Sequence, residues 1–308
     1  MPGIRRRRAG RGFSYRDPGG SPISEADRER IDSLVIPPAW RQVWICPYAN
    51  GHIQATGLDD AGRLQYLYHP RWRERQDAEK FARAAHLGLA MPRLRKTVAR
   101  HLRESQSPRN RTLAAAVRLM DLGALRIGDE SYRKQHGSHG LTTLRCHHVA
   151  VHGDSVKLSF PGKSGQQWEC TLRDRRLAAF LDPLAARPPD EVLLAFVERD
   201  TWTAVDPGML NDYIRRAAGD GFTAKDLRTW KGTLTAARAL ARTATDVPAQ
   251  AALANAFEEA AALLGNTPAV ARDAYVDPRI VAAFLDGSLR KTKTGEAAIA
   301  RFLADEAG

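Results

Sequence analysis

The pattern of apolar and polar positions changes character once along this 308-residue chain. Between 43 and 69 it runs with period two. Val43-Trp44-Ile45-Cys46 leads to a loop ending at Asn50-Gly51, and His52-Ile53-Gln54-Ala55-Thr56 alternates. Asp59-Asp60-Ala61-Gly62 is a turn, and Leu64-Gln65-Tyr66-Leu67-Tyr68-His69 alternates again. An antiparallel meander is predicted, with Tyr66 and Tyr68 on one face and Gln65 on the other. Residues 71–86 read as a helix. The stretch His86–Pro92 breaks that pattern and is the expected domain boundary, giving a β-rich domain over 1–90 and a second domain over 91–308. Beyond it the period is helical over 109–122, 207–219, 229–242 and 246–264, with much alanine and leucine. One interruption is expected, between 141 and 172, where Val149–Val151, Val156–Phe160 and Trp168–Leu172 predict a small three-stranded sheet. The fold class is α+β.

Composition bounds this picture. Apolar residues make up 43% of the chain, enough for two cores without staples. The three cysteines, Cys46, Cys146 and Cys170, form no CxxC pair, which argues against a disulfide framework or a cysteine zinc site and fits a reducing interior. No apolar run approaches a membrane span and no signal-peptide core follows the basic N-terminus. Charge changes the picture most: 47 Lys and Arg against 35 Asp and Glu give +12. A polyanion is the expected partner, nucleic acid the commonest one. Residues 1–12 carry five arginines and no acid and are expected to be a free arm that phosphates pin down. Residues 93–111, with seven Lys or Arg and one acid, read as a basic connector between the domains.

The candidate chemistry centres on Leu264–Pro278, LGNTPAVARDAYVDP. Thr267 suits a helix cap, Pro268 a first turn, and Pro278 is expected to close the helix that carries Tyr275. Asn266 precedes Tyr275 by nine residues. In one straight helix that spacing leaves the two on opposite faces, ~13 Å apart along the axis, so they share a site only if the chain bends beside them. Lys163 lies at the tip of the second predicted hairpin, in PGKSG. That segment is not a phosphate-cradling loop, since GxxxxGK[ST] fails and no helix follows directly. There is no HExxH, and the adjacent acids Asp59-Asp60 are in a turn. Arg126 follows a helix, and Arg228 precedes an alanine-rich one.

Taken in order, these positions resemble a known family. GRGFSY, IPPAW (36–40), VWI (43–45), GHIQATG (51–57) and GRLQYLYH (62–69) in the first part carry the likeness, as do RIGDESY (126–132), GLTTLR (140–145), FPGKSG (160–165), KDLRTWKGT (225–233) and LGNTPAVARDAYVDP (264–278). The chain resembles the type IB DNA topoisomerases of the small bacterial and poxvirus-like group over nearly its whole length. The resemblance implies a β-rich N-terminal domain and a mainly helical, tyrosine-recombinase-like catalytic domain that clamp double-stranded DNA. It implies that Tyr275 attacks a phosphodiester to give a 3′-phosphotyrosyl link, that the nicked strand rotates, and that the 5′-hydroxyl attacks back without ATP, cofactor or metal. It assigns Arg126 and Arg228 to the non-bridging oxygens, a further hydrogen bond to Asn266, and protonation of the leaving 5′-oxygen to Lys163 with Lys225 assisting. Gln65, Tyr66, Tyr68 and Tyr132 match DNA-contacting positions. A monomer acting in the cytoplasm on the nucleoid is expected. Three positions depart from relatives: Asn266 stands where the viral group has histidine, Ser164 where it has aspartate, and Asp129 where many bacterial relatives have asparagine.

Two other readings remain open at the level of sequence. A tyrosine recombinase or integrase shares the Arg, Lys, Arg, Tyr chemistry, but its usual His-x-x-Arg has Lys225 in the histidine slot here, and its N-terminal part is usually helical. A catalytically silent DNA-binding protein would keep the charge and lose the reaction. Relaxation of a supercoiled plasmid without ATP or magnesium separates the three.

Overall fold

The arginine-rich N-terminus, expected as a free arm, is a β-hairpin in the computed structural model, which describes residues 2–104, 106–291 and 294–305. Strands β1 (Ile4–Ala9) and β2 (Gly12–Arg16) turn at Gly10, whose φ of 57° suits glycine. The hairpin is ordered because Ile4 is buried and because the Arg6 guanidinium finds carbonyls instead of phosphates. It donates to Pro37 O at 3.1 Å and Trp40 O at 2.6 Å, and it lies 4.1 Å above the Phe13 ring. Helix α1 (Glu25–Ser33) starts at the Ser24 cap. Strands β3 (Arg41–Ile45), β4 (Ile53–Leu58) and β5 (Leu64–Tyr68) are the predicted meander, and they complete an antiparallel sheet in the order β2-β1-β3-β4-β5. Its core is Ile4, Ile31, Ile36, Val43, Ile45 and Ala55.

Helix α2 (Pro70–Glu104) runs straight through His86–Pro92, where a break was expected. Leu87, Met91, Leu94, Val98 and Leu102 are all buried at helical spacing, and that continuous apolar face outweighs the one hydrogen bond Pro92 forfeits. Gly88 is a packing residue and not a breaker: a Cβ there would lie 2.6 Å from the Trp230 ring. The basic stretch 93–111 is accordingly helix for most of its length and not a connector. By contacts the chain divides into two compact units, Met1–Glu79 and Lys80–Gly308, so the division falls inside α2.

In the second unit, α3 (Pro108–Gly123) and the short α4 (Glu130–His136) precede a three-stranded antiparallel sheet, β6 (Val149–His152), β7 (Ser155–Pro161) and β8 (Gln167–Arg173), as predicted. After α5 (Arg175–Ala185) comes a second β interruption that sequence reasoning missed, the hairpin β9 (Ala195–Glu198) and β10 (Thr201–Ala204). Its turn places Arg199 and Asp200 at φ 50° and 62° without a glycine, so no composition signal marks it. Helix α6 (Pro207–Ala218) leads to α7 (Ala224–Arg242), which begins earlier than expected because Thr223 and Asp226 form a capping box. Arg228 therefore lies within this helix and not before it. The chain ends with α8 (Ala249–Leu264), α9 (Pro268–Tyr275), α10 (Pro278–Leu285), α11 (Ser288–Lys291) and α12 (Glu296–Asp305). Thr267 caps α9 as predicted, but α9 ends at Tyr275, and Pro278 opens α10 instead of closing α9. One large core joins these helices, with Trp230 at its centre, its indole N–H donating to Glu296 Oε1 at 2.8 Å. The three cysteines are free.

Candidate active site

Three chain reversals build the site. At the end of α3, Ala124 adopts the left-handed conformation (φ 46°), and the strand-like segment after it carries Arg126. That segment is pinned where Gly128 crosses Gly140. A Cβ on Gly140 would lie 2.5 Å from Gly128 Cα, and the amides of Leu141 and Thr142 donate to Arg126 O and Ile127 O at 2.8 Å. At the end of α8, Gly265 (φ 58°) reverses the chain, so Asn266 lies outside both α8 and α9. This is the bend that the nine-residue spacing to Tyr275 demanded. At the end of α9, the carbonyl of Tyr275 accepts from Thr233 Oγ1 at 2.9 Å, and the same hydroxyl accepts from the Asp277 amide at 3.1 Å. Gly232, one residue earlier on α7, leaves room for this approach.

These reversals bring Arg126, Lys163, Arg228, Asn266 and Tyr275 together. Arg228 is buried and donates to Leu264 O at 2.9 Å and to Ala124 O, the carbonyls at the ends of α8 and α3. Its guanidinium carbon is 5.3 Å from the centre of the Tyr275 ring. Arg126 donates to Gly265 O at 3.1 Å and to Asn266 Oδ1. Because an arginine only donates, the Asn266 oxygen faces it and the amide nitrogen points away. Among the described residues that nitrogen and Arg228 Nε are buried N–H donors with no partner. Among the described residues neither Arg126 nor Arg228 has a carboxylate partner. Lys163, at the turn after β7, is exposed and lines two cavities with Arg126, of about 240 and 410 Å³.

The electrostatics follow from this geometry. Burial alone would raise the Tyr275 phenol, but Arg228, through its charge and as a hydrogen-bond donor, and then the charges of Arg126 and Lys163 outweigh it, and the net shift is downward. Burial lowers Arg228 to about 10, against the raising influence of Tyr275, so it stays charged near neutrality. Burial also lowers Arg126, with Tyr275 and Tyr132 opposing.

The remaining predicted residues lie as follows. Tyr132, on α4, lines the larger cavity beside Arg126. Lys225 is exposed on the first turn of α7, three residues before Arg228, and lines neither cavity. The Ser164 side chain lies outside the described part. Asp129 caps α4 through the Tyr132 amide at 3.0 Å, so aspartate performs the capping that asparagine would. Gln65, Tyr66 and Tyr68 belong to the first unit. Gln65 donates to Asp59 Oδ2 at 2.8 Å. Tyr66 and Tyr68 are 44% and 39% exposed and stack on one another, and Tyr68 also stacks on Trp72. Sequence reasoning missed Gly232 and Thr233. A glycine in the middle of an alanine-rich helix was the available signal, since it costs stability unless something packs against it. Among the described residues no group of three or more His, Cys, Asp or Glu side chains is arranged to hold a metal ion.

A phenol beside two fixed guanidiniums and an exposed ammonium is equipped for phosphoryl transfer in which cations, not carboxylates, face the phosphate. Residues 69–293 match the family model described as eukaryotic DNA topoisomerase I, catalytic core, and residues 12–59 match that of the bacterial DNA topoisomerase IB N-terminal domain. The chain is similar to DNA topoisomerase 1B of Acanthamoeba polyphaga mimivirus, at 32% identity over 288 residues, 90% of this chain and 85% of the relative. It is also similar to DNA topoisomerase 1B of vaccinia virus (strain Copenhagen), at 22% identity over 233 residues, 73% of this chain and 70% of the relative. The chain belongs to the type IB DNA topoisomerases. It is an isomerase whose substrate is DNA, which sets aside the recombinase and the silent binding protein. Among the described residues no helix is long and apolar enough to cross a membrane.

Proposed function

We propose that Tyr275 is the nucleophile of this topoisomerase and that Arg126, Arg228 and Asn266 hold the phosphate it attacks. The observation that carries this reading is the pair of buried, unpartnered N–H donors, Asn266 Nδ2 and Arg228 Nε, beside a phenol of lowered pKa. A buried donor without an acceptor is costly, and a phosphate oxygen satisfies it. In the forward step the Tyr275 oxygen attacks phosphorus, its proton leaves to water, and the bond to the 5′-oxygen breaks. Lys163, with Lys225 assisting, gives that oxygen its proton. The pentacoordinate state gains negative charge on its non-bridging oxygens, where both guanidiniums and the Asn266 amide already point. The phosphodiester energy is kept in the 3′-phosphotyrosyl bond. Strand rotation relaxes the duplex, and the 5′-hydroxyl reverses the step without ATP or metal.

In this reading the β-rich first unit grips the duplex and the mainly helical second unit carries the chemistry. Gln65, Tyr66, Tyr68 and Tyr132 contact the DNA backbone, whose phosphates accept from tyrosine hydroxyls. The protein works as a monomer on the nucleoid, in the cytoplasm. Supercoiled plasmid in EDTA tests it. The wild type should relax the plasmid and leave a protease-sensitive protein–DNA adduct when trapped, and Tyr275→Phe should abolish both while keeping duplex affinity. Relaxation by Tyr275→Phe would remove Tyr275 from the role.

A further inference from the structure

A second basic cavity lies among the latter part of α2, the first turn of α3 and α6. It encloses about 380 Å³ and shares no lining residue with the two cavities at Lys163. Helical spacing brings Arg93, Thr97 and Arg100 to one face of α2, and Arg216 enters from α6. Tyr213 is a buried wall residue whose hydroxyl is 2.8 Å from His101 Nδ1. Among the described residues no carboxylate lines the cavity, and Arg93, Arg100 and Arg216 form no ion pair. That sets them apart from arginines such as Arg95 and Arg118, which are tied to acids in the same unit.

Three like charges around one concavity repel, and an anion seated among them relieves that repulsion. Arginine forks match phosphate oxygens, and Thr97 and Asn110 add neutral donors. The wall holds two rings among the described residues, the buried Tyr213 and the half-buried His101, and they pack edge-to-face on each other with centroids 5.6 Å apart, which leaves no large flat face for a nucleobase. The recognised feature is therefore the phosphoryl group itself. We propose that this cavity is a second phosphoryl-binding site, apart from the Tyr275 site, that takes phosphates of a small polyanion or of a DNA backbone through Arg93, Arg100 and Arg216.

Calorimetric titration of the full-length protein with tripolyphosphate tests this. The double variant Arg100→Ser with Arg216→Ser should lose one binding event seen in the wild type, with affinity falling about tenfold or more per arginine removed. Thr97→Glu, which adds an acid and removes no arginine, should give the same loss. A double variant of exposed arginines elsewhere, Arg175→Ser with Arg176→Ser, should leave the event intact. Duplex DNA added first distinguishes the sources: displacement of the event assigns the site to a DNA backbone, and its persistence assigns it to a small polyanion. Wild-type stoichiometry and affinity in both cavity variants, with unchanged thermal melting, would overturn the proposal.

Discussion

Gly232→Ala tests whether the Tyr275 main chain is a fixed point of the site. The added methyl would lie 2.9 Å from Tyr275 Cβ, 3.0 Å from Tyr275 O and 3.0 Å from Leu264 Cδ1. Carbon atoms in ordinary contact are ~3.5–4.0 Å apart, so roughly 0.6 Å or more has to be found. Leu264 Cδ1 is the end of a side chain and can swing aside. Tyr275 O cannot do so freely, because Thr233 Oγ1 holds it at 2.9 Å. The displacement therefore falls on the end of α9. Overpacking of this kind costs about 1–3 kcal/mol, and replacing a mid-helix glycine by alanine returns about 1 kcal/mol, so the net loss of stability is small, about 0–2 kcal/mol. Catalysis is more sensitive than folding here. Misplacing a reacting group by about 1 Å can cost ~10²-fold, so cleavage should slow by about tenfold to a hundredfold. Single-turnover formation of the covalent adduct on a short duplex, at saturating protein, reads the rate, and a thermal melt reads the fold. Wild-type cleavage with an unchanged or raised melting temperature would show that the end of α9 gives way freely and that the reasoning is wrong.

Arg228→Ala should slow cleavage by at least ~10²–10³, the usual cost of one lost charge-stabilising donor, and Arg228→Lys should not restore it, because one ammonium cannot span Leu264 O, Ala124 O and a phosphate. Near-wild-type adduct formation by the lysine variant would count against the bidentate role. The Tyr275 phenol should ionise below the usual phenol range in the DNA-free protein, seen as tyrosinate absorbance missing from a Tyr275→Phe control, and Arg228→Ala should move it upward; ionisation together with the other tyrosines would contradict this. The folded value is depressed, so the stability this group adds is present only above the unfolded phenol pKa and is gone at neutral pH. His148, buried beside His139 and His147, is held by burial first and their charge second down to about 4. It is neutral when folded, so its contribution, at most about 3 kcal/mol, is complete above the unfolded value near 6.5 and is lost as pH falls toward 4. Urea melts at pH 7 and pH 5 should show that loss in the wild type and much less of it in His148→Gln; equal losses would place the pH dependence elsewhere.

The meander of β3, β4 and β5 was legible because Val43 and Ile45 alternate into the core and β5 alternates between exposed and half-buried positions, although the register shifts between Arg41 and Trp44 and between Ile53 and Ala55 carry no mark in the sequence. The Thr267-Pro268 start of α9 was legible because capping is local chemistry. What failed was tertiary. Pro92 and Gly88 look like breakers in isolation, and only the buried face of α2 and the Trp230 ring make them tolerable or necessary. The arginine hairpin was read as a free arm because the carbonyls that hold Arg6 come from residues 37–40, far along the chain. In the site, residue types and order carried the likeness to the family. The αL reversals at Ala124 and Gly265 and the Thr233 hydroxyl bridge had no such mark, since each depends on which segments meet.

How the arginines are held separates those that build the fold from the two that the proposed mechanism sets against the phosphate. Arg95 is matched to Asp121 and Glu296, Arg118 to Asp174, and Arg279 to Asp277, so each of these charges is cancelled where it is used. Arg126 and Arg228 are fixed instead by peptide carbonyls at the ends of α3 and α8 and by the Asn266 amide. Helix C-termini present carbonyls with no intrahelical partner and a partial negative charge of roughly half a unit, enough to orient a guanidinium and too little to neutralise it. A carboxylate in either place would hold the arginine as well and would also repel the charge that gathers on the phosphate oxygens. The acid nearest Arg126 in sequence, Asp129, accepts from Ser131 Oγ and the Tyr132 amide as the cap of α4, and the acid nearest Arg228, Asp226, accepts from Thr223 and Arg83. Burial sets the limit of the arrangement, and the fall of Arg228 to about 10 measures it. Among the described residues no acid opposes the charge that remains beside Tyr275, and in the proposed mechanism it is the incoming phosphate that answers it.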